Sequence, residues 1–295
     1  MGFDPKRMLR QFFQERGLGR FELLDLINSG SMSEMRKAID RQSGRVLCVK
    51  LYNRDGQFMR EAIEKKHPEI RETILSIRHP NLLHTYEIGM EGKRMYAVLE
   101  YIEGSTLGRA MRGDFPPFAW WFEILKQIVT AMRYLHEESK LVHRDFNPYN
   151  VMIAAGNLVK IVDLDFAYPI GSDATGLYRR SGTLGYMAPE QVKGLVLDER
   201  VDVYSFGASV YEMLTRQNPF RDTSSDDRSV REERSRAKHL QVLPSAPSKH
   251  NPLVPSEFDA IVMKCLEQSR LDRYNNFAEI QAAMEAIEPK IRPSV

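Results

Sequence analysis

The chain has 295 residues, 42% hydrophobic and 28% charged, and its 42 Lys and Arg against 40 Asp and Glu leave a net charge of +2. That length buries a full core in one large domain or two intimate ones, and that composition excludes general disorder. A charge this balanced gives no ground to expect nucleic acid or a membrane surface as partner.

No apolar run approaches the roughly 18–20 residues of a membrane span, and the start, Met1 to Lys6, lacks a signal-peptide core. Cys48 and Cys265 lie far apart in different local contexts, so a disulfide framework is not expected and a reducing, cytoplasmic compartment is.

In chain order, residues 1–20 interleave Lys6, Arg7, Arg10, Arg16 and Arg20 with Met8, Leu9, Phe12 and Phe13. This basic arm reads as a short capping helix or as a docking segment for a partner or a membrane surface. Segments 21–27, 45–51, 83–89 and 94–100 are bounded by Gly, Asn or charged turns and are predicted as strands, with a helix over 56–77 between them. After Gly104 the pattern turns helical: 118–137 repeats Trp121, Ile124, Leu125, Ile128, Met132 and Leu135 at helical spacing. Further helices are predicted over 201–215, 257–268 and 276–286, while 221–247, rich in Ser, Arg, Asp and Pro, reads as a surface insertion. A β-rich front third and a helical remainder indicate an α+β protein with two lobes, 21–103 and 104–290, after the arm.

The chemistry-bearing residues are concentrated in a few short stretches. Leu141-Val142 leads into His143-Arg144-Asp145-Phe146-Asn147-Pro148-Tyr149-Asn150, which spells H-R-D-x-x-x-x-N. Downstream, Val159-Lys160-Ile161-Val162 is a strand pattern that ends in Asp163-Leu164-Asp165. Upstream, Val46-Leu47-Cys48-Val49-Lys50 places a lysine on a strand, with Cys48 alternating to the same face. Ser181-Gly182-Thr183-Leu184-Gly185-Tyr186-Met187-Ala188-Pro189-Glu190 and Asp202-Val203-Tyr204-Ser205-Phe206-Gly207 follow, with Arg273 near the end.

Taken together these stretches resemble the eukaryotic-type (Hanks-type) serine/threonine protein kinases, and in particular their bacterial members, over about residues 20–290. The resemblance implies a bilobal fold that binds Mg-ATP and transfers its γ-phosphate to a protein hydroxyl. It implies Asp145 as the carboxylate that positions the substrate hydroxyl, with Thr183 bracing it. Lys50 would neutralise the α- and β-phosphates, and Asn150 and Asp163 would hold Mg2+, with Asp165 a further candidate ligand. The adenine would lie behind Leu99, Glu100, Tyr101 and Ile102, with Met35, Cys48 and Met152 against the ring and Gly30 in the phosphate loop. Glu69 is the candidate partner of Lys50, and Glu190 that of Arg273. Arg144 would meet a phosphorylated activation loop, for which Thr175, Tyr178 and Ser181 are candidates.

The sequence departs from the family pattern in the phosphate loop, where Asn28-Ser29-Gly30-Ser31-Met32-Ser33 keeps only Gly30. Asn147 replaces a lysine, and loss of one such electrostatic donor costs about 2.7–4 kcal/mol. Asp165 stands where a conformationally free Gly is usual, and Asp tolerates left-handed angles better than most residues. These departures keep two alternatives open: a small-molecule phosphotransferase and a nucleotide-binding pseudokinase. The Thr183 to Glu190 segment favours a protein substrate, and intact Lys50, Asp145, Asn150 and Asp163 favour activity.

Overall fold

The computed structural model describes residues 19–172 and 181–291, apart from the Met59 side chain. Most of the N-terminal arm, together with Thr175 and Tyr178, lies outside the described residues. The chain divides into two compact units: one runs to Arg78 and resumes over Leu83–Ile102, and the other takes His79–Leu82 and everything from Glu103 onward.

The first unit is an antiparallel sheet of β1 (Phe21–Ser29), β2 (Ser33–Asp40), β3 (Val46–Tyr52), β4 (Thr85–Glu91) and β5 (Arg94–Glu100), in the order β1-β2-β3-β5-β4. Alternation along β3 splits its side chains. Leu47, Val49 and Leu51 join Phe21, Ala38 and Val98 in one cluster. Cys48 and Tyr52 join Met95, Ala97 and Leu99 in another, against which Met35 packs.

The helix expected over 56–77 is two helices, α1 (Arg54–Lys66) and α2 (Ile70–Ser76). Pro68 is the cause, since its ring pushes the preceding residue out of the helical region. His67 accordingly sits at φ −132°, ψ 76°.

The second unit carries β6 (Gly104–Thr106), α3 (Leu107–Ala110), α4 (Phe118–Glu137), β7 (Leu141–Val142), β8 (Val151–Ala154), β9 (Leu158–Ile161) and β10 (Tyr168–Pro169). It continues with α5 (Pro189–Lys193), α6 (Arg200–Thr215), α7 (Arg228–Gln241), α8 (Ser256–Cys265) and α9 (Phe277–Ile291). Every residue of α6 from Val201 to Thr215 is buried, which makes it the central post of this unit. α4 packs on α9 and β9, and β6, β8 and β9 form a small antiparallel sheet, with β6 against the turn Pro148–Asn150.

The 221–247 stretch lies at the surface with most of its charges exposed, and it is ordered by α7, capped by Asp227. Ser235 and His239 of α7 are buried, and the His239 ring stacks on Phe220 at 4.4 Å. Its anchoring side chains are few and polar in type, so the charged outer face hides them in the sequence.

Among the described residues no helix is long and apolar enough to cross a membrane.

Candidate active site

Each unit carries its own set of candidate residues. In the first, Lys50 is buried on β3, paired in register with Met35 of β2 and Ala97 of β5. Its Nζ lies 5.6 Å from the Tyr52 ring centroid. Cys48 and Leu99 are register partners, and with Met35 they form one apolar face. Burial pushes the Cys48 thiol up to about 11, as a packing residue requires and a redox thiol does not. Glu100 accepts the His84 N–H at 3.3 Å, and Ile102 is half-buried at the end of the unit.

Glu69 begins α2 with its side chain 59% exposed and 3.2 Å from His67 Nδ1. Glu64 of α1 is engaged by Arg60 and Arg71, each at 3.0 Å.

The phosphate loop holds a residue that motif reading passes over. Gly30 donates its N–H to Ser33 O at 2.9 Å, and a Cβ on it would meet nothing nearer than 3.9 Å. At Gly56, in the first turn of α1, a Cβ would come 2.2 Å from Met32 O. Asn53 completes this close approach: its N–H donates to Met32 O at 2.9 Å, its amide to Ser31 O, and its Oδ1 accepts the Gly56 N–H at 3.0 Å. The loop is thus fastened to the helix that follows β3, which offsets part of what the missing glycines would supply. A small residue three positions after an Asn was the only sequence signal for it.

In the second unit the segment from His143 to Asn150 hangs from buried Asp202 of α6. Its carboxylate accepts the N–H groups of His143 at 2.7 Å and Arg144 at 2.8 Å, and His136 Nε2 lies 2.8 Å away. The Asp145 carboxylate takes the Thr183 N–H at 2.7 Å and Asn150 Nδ2 at 3.0 Å. Burial raises the Asp145 pKa above its ordinary value; Thr183 opposes, the Asp163 charge adds to the rise, and His143 opposes.

Asn147 is buried and fully used. Its Nδ2 donates to Asp145 O at 2.9 Å, Asp145 Oδ1 at 3.3 Å and Thr183 Oγ1 at 3.4 Å, while its Oδ1 caps Tyr149 N at 3.0 Å. It braces the loop where the related pattern has a free cation. Gly182, at φ 129°, passes so close to Arg144 O that a Cβ would lie 2.8 Å from it.

Asn150 O accepts the Val162 N–H at 2.9 Å, which sets Asp163 beside the loop. With Asn150 Nδ2 committed to Asp145, the amide oxygen is the atom left for a ligand. An amide oxygen and a carboxylate are hard donors of the kind Mg2+ takes. Asp163 itself holds the left-handed conformation at φ 67°, and Asp165 is not among the positive-φ residues described. The conformational demand expected at Asp165 therefore falls two residues earlier. The Asp165 N–H meets the Asp163 carboxylate at 3.4 Å. Met152 of β8 stands opposite Lys160 in register.

Arg144 is buried with its guanidinium 5.5 Å from the Tyr168 ring centroid, and none of its side-chain nitrogens has a hydrogen-bond partner among the described residues. Burial lowers it to about 10. Gln191 ties the neighbouring strand of chain down, donating to Arg144 O at 2.9 Å and Ser181 O at 2.6 Å. Arg273 and Glu190 form a buried bidentate pair at 2.7 and 2.9 Å.

With this geometry in hand, the comparisons are consistent. The profile described as protein kinase domain matches residues 21–286. Serine/threonine-protein kinase PknB of Mycobacterium leprae is 31% identical over 279 residues, 89% of this chain and 42% of that protein. Serine/threonine-protein kinase PrkC of Bacillus subtilis is 28% identical over 270 residues, 90% of this chain and 40% of that protein. The chain thus spans about two fifths of the length of these relatives.

Proposed function

The chain belongs to the protein kinase domain family, and on that premise we propose that it transfers the γ-phosphate of Mg-ATP to a serine or threonine hydroxyl of a protein. One observation carries this reading. The Asp145 carboxylate is fixed by the Thr183 N–H and the Asn150 amide, as a group that must accept one hydroxyl proton in one direction needs to be.

Asp145 orients the attacking hydroxyl and receives its proton. Thr183 holds that carboxylate through its backbone, and its hydroxyl accepts from Asn147. Lys50 would neutralise phosphate charge, and Asn150 and Asp163 would hold Mg2+, with Asp165 joining directly or through water. A Mg2+ held there would supply charge neutralisation to the transferring phosphoryl group. Met35, Cys48, Leu99 and Met152 supply apolar contact to the base, with Glu100 and Ile102 giving backbone contacts and Gly30 the loop turn. Glu69 as the partner of Lys50 rests only on its position before α2.

Two buried free thiols agree with a reducing, cytoplasmic setting. The Arg144 guanidinium, without a hydrogen-bond partner among the described residues, agrees with activation through a phosphorylated loop residue. The relatives named as serine/threonine kinases favour a protein acceptor over a small alcohol or amino sugar.

The test is transfer of label from γ-labelled ATP to a mixed protein acceptor. Label on Ser and Thr, lost in Asp163→Asn, supports the reading. Label on small alcohols or amino sugars with none on protein overturns it.

A further inference from the structure

Beside the catalytic loop, within the second unit, stands a small group of polar side chains that the reaction itself does not use. Tyr149 follows Asn147 in the turn Pro148–Asn150 and is 40% exposed. Its ring packs on Gly108, where a Cβ would come 2.6 Å from Cε1. Tyr186 closes the turn that starts at Thr183, its N–H donating to Thr183 O at 2.9 Å, and its ring is buried. Its hydroxyl donates to Glu212 Oε2 at 2.7 Å, and Asn218 Nδ2 donates to the same oxygen at 2.9 Å.

Arg221 joins these parts. Nη2 donates to the Tyr186 hydroxyl at 3.3 Å, and Nη1 lies 3.9 Å from Glu212 Oε1. Attraction to the Tyr149 hydroxyl acts on the same guanidinium. Arg221 is therefore bonded to the Thr183 segment through Tyr186 and drawn toward the turn Pro148–Asn150 by Tyr149.

Arg221 and Glu212 cancel in sum but not in place. The Glu212 side chain is 9% exposed and already accepts two hydrogen bonds, whereas the Arg221 side chain is 42% exposed. The field at the surface is that of the cation. A planar guanidinium carries five N–H donors, more than the Tyr186 contact occupies, and takes a carboxylate through two parallel bonds. Arg109, exposed on α3 next to Gly108, adds a second positive charge on the Tyr149 side.

We propose that Arg221 selects protein substrates that carry an acidic side chain close to the phosphoacceptor hydroxyl. The proposal rests on the protein kinase reading above and deepens it from any protein to acidic segments.

The experiment uses the full chain and three Ser-centred peptides of equal length, with flanking residues Asp and Glu, Gln, or Lys. Peptide binding is read by NMR line broadening, which needs neither turnover nor tight association. The acidic peptide is expected to bind about five- to tenfold better than the Gln peptide, the size of one partly exposed charge-assisted pair. The preference should shrink with added salt and fall within about twofold in Arg221→Gln, which removes the charge and keeps a polar side chain. Equal binding of the acidic and Gln peptides by wild type, or no binding of either, overturns the proposal. So does an acidic preference that survives in Arg221→Gln. The wild-type comparison stands even where that variant fails to fold. Transfer of phosphate to a protein acceptor is measured in parallel, so the kinase reading and the acidic preference can fail separately.

Discussion

The Asp145 carboxylate accepts the Thr183 N–H at 2.7 Å across 38 residues of chain. This bond makes the catalytic loop and the Thr183 segment one object, and it holds a carboxylate whose burial favours the protonated form. In ligand-free protein the Asp145 carboxyl signal, read by carbon NMR, is expected to titrate above the ordinary range of about 4. A folded-state acid with a raised pKa loses stability as pH rises through that value. Asp145→Asn should therefore melt at a higher temperature than wild type at pH 7 while losing transfer. A lower melting temperature would remove the claim of strain at Asp145.

Gly56 and Gly30 should part company in a substitution test. Gly56→Ala drives a Cβ toward Met32 O at 2.2 Å, against backbone that cannot swing away, whereas the nearest atom at Gly30 is 3.9 Å off. A clash relieved by moving the loop costs about 1–3 kcal/mol. The KM for ATP should rise about tenfold or more in Gly56→Ala with KM for the protein acceptor unchanged, and Gly30→Ala should be the milder of the two. Steady-state kinetics with each substrate varied in turn decides it.

The Arg273 and Glu190 pair is buried and bidentate, and Arg273 also donates to Glu267 O, Gln268 O and Arg200 O. Removing one partner strands the other charge, at about 3–5 kcal/mol. Arg273→Ala and Glu190→Ala should each lower the denaturation midpoint by that amount, and the double variant should cost much less than their sum. Additive losses would show that the two side chains act independently.

His239 gives the second unit an acid-sensitive anchor. Burial pushes its imidazole down to about 4, partly offset by the Leu184 carbonyl. An unfolded histidine titrates near 6.5, so stability present above that pH is lost as pH falls toward 4, by up to about 3 kcal/mol. His239→Phe, which keeps a ring against Phe220, should flatten the stability profile in this window. An unchanged slope in urea titrations at pH 4.5 and 7 would assign the acid sensitivity elsewhere.

The catalytic loop was readable in the sequence because its residues are contiguous: Asp145, Asn147 and Asn150 fall in one turn, and Asp163 and Thr183 follow in fixed order. The long helices 118–137 and 201–215 were readable from spacing and apolar content. What escaped depends on partners distant in sequence. β2 is a polar strand with only Ala38 and Asp40 buried, and it exists because β1 and β3 pair with it on either side. α7 hides its anchor residues Ser235 and His239 in a charged run. Gly56 matters only because Met32 O approaches it. Asn147 read as a lost cation, and its real work lies in four hydrogen bonds that no linear pattern displays.

The most direct test of phosphotransfer by Asp145 is intact-mass spectrometry of phosphatase-treated protein incubated with Mg-ATP and an unfolded, Ser- and Thr-rich protein acceptor. Stepwise gains of one phosphate on the acceptor or on the chain itself, absent with Asp145→Asn, are the predicted result. Equal gains with wild type and Asp145→Asn, or no gain on either protein with wild type, would contradict it.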